Sequence, residues 1–448
     1  MQAALPQSAN APDLRLPMAA ALALRLAWLL LILHHSGPRT LLRPDTLSYW
    51  IPGHRLLTGL GFSTPAGPEL IRTPGYALLL GFFGQIGPAT VALAQILLSL
   101  LTVWLTARLA WQLFNSQRIA WLAALFLALD PLSLCSAIPL LSEPLAVALT
   151  IASLERLAAA LQRRSLPALS SSAILLAASA LTRPANYYLP FCLALYLFLI
   201  LRYVRRVRWL APGILLLFSL PWLLLWQVRN GAVAHYTGFS AVAPRNLYFY
   251  NAAEVKAAVE GKTLAEAQNE LGYHDTRFDQ LPQAARWTFM QQQALDILRA
   301  HPGLTLRLSL AGSLRTALNP GAAIALALWR AQADEQSPRL QMEKGALKAV
   351  LWSLLHEPGA LLLRLIFLLW LLALYLLAGF GMRRWSQDLP ALLLLAGTVL
   401  YYLALGAGAA GSARMRLPAM PALVILAALG LSEALKKHAL KQRERQRE

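Results

Sequence analysis

Cysteine is almost missing: Cys135 and Cys192 are the only two in 448 residues. That excludes a disulfide-stapled scaffold, and both read as free thiols in or beside apolar runs. Neither cysteine nor histidine recurs at zinc-site spacing. Acids are scarce as well, 21 Asp and Glu against 40 Lys and Arg, for a formal net charge of +19. In a water-soluble chain that excess would point to nucleic acid. Here the basic residues sit in short clusters between apolar runs, so anionic membrane lipids are the better partner and nucleic acid is not. The sequence also lacks a Ser-His-Asp elbow, a Walker loop and a metal-ligand pair on a helix. It has no internal repeat of the kind many transporters carry.

What is abundant is apolar. Hydrophobic residues make up 57%, charged ones 14%, and the mean hydropathy is +0.51. A soluble protein of this length cannot hide so much apolar surface, so the solvent must be lipid. The fold class is therefore an all-α polytopic membrane protein. Runs long enough to cross the hydrocarbon core lie near 18–36, 90–113, 119–138, 142–162, 166–182, 185–203, 209–228, 359–381, 388–409 and 417–435. The first is too long for a signal-peptide core, and His34-His35-Ser36-Gly37-Pro38 follows it instead of a cleavage site. It reads as the first span, with the His pair at its interfacial end.

Arg118, Arg163-Arg164, the cluster Arg202/Arg205/Arg206/Arg208 and Arg383-Arg384 fall in every second loop. The tail adds Lys436, Lys437, Lys441, Arg443, Arg445 and Arg447. All lie on one side if both termini are cytoplasmic, and an even number of spans requires the same. The expected layout is a membrane module over 1–228 whose first outer loop is 37–73, then an extracytoplasmic helical segment over 229–358. Membrane helices over 359–435 and a basic tail over 436–448 complete it. Leu304 to Trp329, interrupted by Arg307, Arg315 and Asn319-Pro320-Gly321, reads as lying on the outer interface, not spanning.

Outer loops normally avoid Lys and Arg, yet the first holds Arg39, Arg43, Arg55 and Arg72. Arg39 and Arg43 suit lipid headgroups. Arg72, just before Thr73-Pro74-Gly75-Tyr76, suits a specific phosphate, since guanidinium offers a planar donor fork. Asp45 is either a general base at the membrane face or the N-cap of a short helix. Other outer loops bring Asp130-Pro131, Glu143 between Ser142 and Pro144, Arg183 in TRPANYY, Arg229-Asn230, and Arg414 and Arg416 in GSARMRLP. Glu143 is either an N-terminal helix charge or a second functional carboxylate. Tyr187 and Tyr188 suit an interfacial belt. Arginines in four separate outer loops, with carboxylates among them, describe a cavity for a substrate with a membrane-borne tail and a phosphate at the interface.

The chain resembles the GT-C superfamily of membrane glycosyltransferases, in the bacterial branch related to lipid A aminoarabinose transferases and dolichyl-phosphate-mannose protein mannosyltransferases. The resemblance is carried by Asp45 with Tyr49, Gly59-Leu60-Gly61, Arg72-Thr73-Pro74-Gly75-Tyr76, Ser142-Glu143-Pro144, Thr182-Arg183-Pro184, Pro221-Trp222 with Arg229-Asn230, and Arg414-Met415-Arg416-Leu417-Pro418. It implies a GT-C-like fold and a polyprenyl-phosphate-linked sugar as donor. The reaction would be an inverting transfer to a glycolipid or cell-envelope glycan, outside the cytoplasm at the inner membrane. Asp45 would be the catalytic acid of the first loop, and Glu143 or Asp130 the second. Arg72, Arg414 and Arg416 would hold the donor phosphate, with Tyr49, Tyr76, Arg183 and Arg229 also lining the substrate site. Family members with protein acceptors usually pair two acids in the first loop; here Thr46 follows Asp45, so no metal or other cofactor is expected. The competing functions are a lipid-linked saccharide flippase or transporter, and a ligase or polymerase of whole glycans.

Overall fold

In a computed structural model the described residues are 12–204, 206–275, 278, 281–330, 357–384, 387–409 and 411–446. Residues 331–356 of the expected extracytoplasmic segment lie outside them, as do Arg205 and Arg447.

The chain begins with α1 (Arg15–Ser36), which ends at Gly37, and then forms α2 (Thr46–Leu57). A two-residue hairpin, β1 (Ser63–Thr64) with β2 (Gly67–Pro68), leads to α3 (Pro74–Gly84). Next come α4 (Pro88–Phe114), α5 (Gln117–Leu129), α6 (Pro131–Ser136) and α7 (Glu143–Arg163). They are followed by α8 (Leu166–Thr182), α9 (Leu189–Ile200) and α10 (Val207–Ala234). The polar middle holds α11 (Val242–Asn246), a π-helical turn Leu247–Ala252, α12 (Ala253–Glu260) and α13 (Leu264–Glu270). It continues with α14 (Gln283–Ala300), α15 (Pro302–Leu318) and α16 (Ala322–Trp329). The last group is α17 (Pro358–Gly381), α18 (Leu389–Leu405), α19 (Ala413–Arg416) and α20 (Met420–Arg445).

Among the described residues six helical runs are long and apolar enough to cross a membrane: α1, α4, α7, α10, α17 and the run Ala413–Leu440. The chain is a multi-pass membrane protein. Four of the ten expected spans are shorter helices: α5, α8, α9 and α18, of 13, 17, 12 and 17 residues. At 1.5 Å per residue even the longest of these is only about 25 Å. The run 119–138 is not one helix, because proline cannot continue the ladder and Asp130 restarts it. The Asp130 carboxylate takes the Ser133 N–H at 2.8 Å and caps α6. The stretch 304–329 is likewise two helices, broken where Gly321 turns left-handed (φ 91°). α16 is tucked against α1: Ser36 Oγ donates to the Trp329 carbonyl at 2.7 Å, and His35 stacks on the Trp329 ring at 3.7 Å.

The centre of the molecule is the C-terminal helix. Every residue from Arg416 to Gly430 is buried, packed among α4, α5, α17 and α18. Between lipid-borne helices the hydrophobic effect supplies little, so close backbone approach matters. α17 and α20 achieve it through glycine. A Cβ on Gly430 would lie 1.8 Å from the Leu377 carbonyl oxygen, and one on Gly381 would lie 2.4 Å from that of Leu426.

One buried charge escaped the sequence reading. Arg25, midway along α1, is fully buried. Its guanidinium donates to Ser99 Oγ at 2.7 Å and to the carbonyls of Ala21, Leu127 and Ala128 at 3.2, 3.4 and 3.1 Å. Leu127 and Ala128 belong to the last turn of α5, whose carbonyls have no intrahelical partner. A side chain of α1 therefore closes the end of α5.

Gly430→Ala is expected to lower the melting temperature of the purified protein by several degrees, an overpacking cost of about 1–3 kcal/mol. Gly379→Ala, where a Cβ meets nothing within 4 Å, should leave it unchanged. Thermal scans of the two variants in the same detergent make the comparison.

Candidate active site

The first loop is folded back on itself by a second close approach. A Cβ on Gly53 of α2 would meet the Ala77 carbonyl oxygen of α3 at 2.0 Å. That contact sets the α2 N-terminus beside the turn that ends at Thr73. Asp45 occupies the N-cap position of α2 yet makes no side-chain cap bond. Its carboxylate turns instead to Arg72, Nη2 to Oδ1 at 2.8 Å. The other oxygen, Oδ2, accepts from Nη1 and Nη2 of Arg414, each at 3.3 Å. The capping alternative is thereby set aside: the residue has the position of a cap and the contacts of an ion pair.

Each partner is held in turn. Arg72 donates from Nε to Ser48 Oγ at 2.9 Å, and its guanidinium stacks 4.5 Å above the Tyr49 ring. Its backbone N–H and that of Ile71 both point to Glu69 Oε1, at 2.8 and 2.6 Å. The Tyr49 hydroxyl lies 3.3 Å from Ser142 Oγ, next to Glu143. Glu143 Oε1 takes Nε of Arg414 at 2.8 Å and forms ion pairs with Arg414 Nη2 at 2.8 Å and Arg183 Nη1 at 3.1 Å. One cluster thus gathers Asp45, Tyr49, Arg72, Glu143, Arg183 and Arg414 from four distant stretches of chain.

Exposure separates the two acids. The Glu143 side chain is 2% exposed, whereas those of Asp45 and Arg414 are each 37%. A ligand can therefore reach Asp45, while Glu143 works from behind by fixing two arginines. Burial alone would raise the Asp45 pKa, but Arg72 and Arg414 outweigh it and hold the carboxyl below its ordinary value. Three guanidiniums face two carboxylates, which leaves one positive charge.

The remaining expected residues lie elsewhere. Tyr76 is fully buried, its ring edge-on to Tyr49 and its hydroxyl on Gln95 Oε1 at 2.7 Å. Arg229 donates to the carbonyls of Glu69, at 2.7 Å, and of Phe62, and so braces the hairpin that carries Glu69. Arg416, two residues after Arg414, points inward. It is 1% exposed and donates to the Thr316 and Ala317 carbonyls at 2.7 and 2.8 Å, closing the end of α15. Asp130, the alternative second acid, caps α6 and accepts Trp370 Nε1 at 3.0 Å. Ser48 and Glu69 were not singled out from the sequence, and Ser142 only as part of the Ser142-Glu143-Pro144 motif. Ser48 follows Asp45 by one helical turn, a spacing that could have flagged it. Nothing in the sequence signalled Glu69.

Neither a protein-family model nor a curated protein matches the sequence. Solved structures do. The archaeal oligosaccharyltransferase AglB from Archaeoglobus fulgidus, in complex with an inhibitory peptide and a dolichol-phosphate, aligns with a TM-score of 0.53. Identity is 14%, over 96% of this chain and 51% of that one. The apo form of the Archaeoglobus fulgidus oligosaccharyltransferase gives 0.51 over the same shares, at 14% identity. The chain shares the fold of this oligosaccharyltransferase. It spans about half the length of the oligosaccharyltransferase. ArnT from Cupriavidus metallidurans bound to undecaprenyl phosphate also aligns, at 16% identity over 93% of this chain and 76% of that one, with a TM-score of 0.39. Within this fold, the Asp45 cluster lies where the first loop, the α7 N-terminus, the turn after α8 and α19 converge.

Glu143→Gln leaves Arg414 and Arg183 without their buried counter-charge and should cost on the order of 3–5 kcal/mol. Asp45→Asn, at a half-open pair screened by solvent, should cost far less. The depressed Asp45 pKa stabilises the fold above the unfolded value of about 3.9, and that contribution fades as pH falls through the folded value. Melting curves should therefore show a small gap between wild type and Asp45→Asn at pH 6 that closes below about pH 4.

Proposed function

We propose that the chain is an inverting glycosyltransferase that moves a sugar from a polyprenyl-phosphate-linked donor to a glycolipid or cell-envelope glycan on the extracytoplasmic face. The observation that carries this reading is the half-exposed Asp45 carboxylate held between Arg72 and Arg414. The single surplus positive charge of the cluster matches the single negative charge of a phosphodiester-linked sugar. The GT-C fold is consistent with it. Topology follows from the charge pattern, with both termini cytoplasmic and 37–73 and 229–358 outside.

The chemistry is a single displacement. An acceptor hydroxyl attacks the anomeric carbon from the face opposite the phosphate. The C–O bond to phosphate breaks, and its electron pair leaves with the polyprenyl phosphate. Arg72 and Arg414, with Arg183 behind them, meet the second negative charge as it develops, so donors fixed in advance lower the barrier. The hydroxyl proton passes to Asp45.

A carboxylate clamped by two guanidiniums is a weak base, and the donor itself relieves the clamp. Phosphate oxygens compete for the same N–H groups, so donor binding frees Asp45 and raises its pKa. Glu143 keeps Arg414 and Arg183 in place during that exchange, because its own contacts are buried. The domain layout then has a function: membrane helices carry the cluster, and the polar middle segment meets the acceptor.

Asp45→Asn should reduce sugar transfer by 10²–10⁴-fold, the usual worth of a general base, and leave binding of undecaprenyl phosphate intact. Arg72→Met and Arg414→Met should weaken that binding by tenfold or more. Titration of the purified variants with the lipid, alongside a radiolabelled transfer assay, separates the two effects. Full transfer by Asp45→Asn would sink the reading. Vesicle transport of a lipid-linked sugar with no transfer would favour a flippase.

A further inference from the structure

The polar segment after α10 is tied to both arginine-bearing loops. At one end the Ala241 N–H donates to the Leu70 carbonyl at 2.8 Å, and Ser240 Oγ donates to that of Ile71 at 2.6 Å, next to Arg72. At the other end Asn251 packs against Gly408, and Arg315 bridges the Gly408 carbonyl at 3.3 Å and Glu254 at 2.7 Å. Gly408 lies six residues before Arg414. Between these anchors the backbone makes its π-helical turn, Leu247–Ala252. Such turns insert an extra residue and often mark functional sites.

The turn carries three consecutive aromatics, Tyr248, Phe249 and Tyr250, and Tyr250 and Tyr273 pack against the margin of the core that the first two enter. Tyr248 and Phe249 enter a small core with Leu70, Tyr236, Trp287 and Met290. Tyr250 is left half-buried, as is Tyr273. Their hydroxyls lie 3.4 Å apart and their rings are nearly perpendicular, at 6.3 Å. Arg245 sits 5.7 Å above the Tyr273 ring. Burial, the Tyr273 hydroxyl and the Asp45 carboxylate all push the Tyr250 phenol up, to about 12, against the opposing pull of Arg245. Tyr250 is therefore a neutral hydroxyl within electrostatic reach of Asp45.

We propose that Arg245, Tyr250 and Tyr273 form a saccharide-binding subsite roofing the Asp45 cluster. The chemistry selects that ligand class. A sugar ring has an apolar C–H face that rests on an aromatic ring and a rim of hydroxyls that donate and accept. Two phenols bonded to each other still hold one free donor and several acceptor lone pairs, and Arg245 adds further donors. A prenyl chain would use none of these polar groups, and a phosphate would be drawn to Arg72 and Arg414. This subsite rests on the transferase reading, and its sugar belongs either to the donor or to the acceptor.

The test uses the full chain in lipid nanodiscs and three probes: undecaprenyl phosphate, undecaprenyl-phosphate-linked hexoses, and free methyl hexosides added with undecaprenyl phosphate. Wild type, Tyr250→Ala/Tyr273→Ala and Tyr250→Phe/Tyr273→Phe are compared, with thermal scans as a check on folding. The expected result is at least a tenfold loss in the double alanine variant for one sugar-bearing probe and unchanged affinity for undecaprenyl phosphate. The phenylalanine variant, which keeps the rings, should lose less. A loss confined to the lipid-linked hexose assigns the subsite to the donor, and one confined to the methyl hexosides assigns it to the acceptor. Unchanged sugar binding, or an equal loss for undecaprenyl phosphate, overturns the subsite and leaves the transferase reading standing. No binding of undecaprenyl phosphate by wild type overturns both.

Discussion

The organising interaction is a carboxylate suspended between two guanidiniums that come from opposite ends of the chain. Asp45 and Arg414 are 369 residues apart, and their contact closes a loop of nearly the whole chain. An ion pair at a partly open surface is worth little by itself. This one is made worthwhile by what surrounds it, because Glu143 is buried and grips Arg414 from the other side. The result is a chain of alternating charges, Arg72, Asp45, Arg414, Glu143, Arg183, in which each member is oriented by its neighbours. Removing any interior link would leave a charge facing a like charge or none.

Such a chain needs a rigid frame, and the frame is the lipid-shielded centre. Arg414 lies on a single helical turn directly ahead of the segment Arg416–Gly430, which is buried throughout. Arg416 shows why adjacent arginines behave differently. It faces inward and spends its donors on the last carbonyls of α15, while Arg414 turns to Asp45 and Glu143. Arg416 thereby ties the short helix α19, from which Arg414 projects, to the end of α15.

Much of this was legible from the sequence, and the legible parts share a physical cause. Arginine outside the positive-inside pattern costs free energy, so Arg72, Arg183 and Arg414 stood out and do converge with Asp45 and Glu143. The same signal marked Arg229 and Arg416, which the structure uses to brace backbone carbonyls; charge counts alone cannot tell a ligand donor from a helix cap. The break at Asn319-Pro320-Gly321 could be read from local chemistry, whereas the break at Asp130-Pro131 was overridden by the apolar composition around it. Long-range packing was invisible. Neither the burial of Tyr76, nor the Gly53 contact with Ala77, nor the π turn at Leu247–Ala252 leaves a trace in periodicity or spacing.

The buried guanidinium of Arg25 has a consequence for biogenesis. Its partners Ser99, Leu127 and Ala128 are made 74 to 103 residues later. At a synthesis rate of about 5–20 residues per second, the first helix waits roughly 5–20 s with a cation and no protein neighbour for it. A charge of this kind at a helix centre costs about 2.5–3.5 kcal/mol during insertion. The nascent first segment therefore has reason to linger beside the translocation machinery until the fifth helix emerges, and the two would enter the bilayer as a pair.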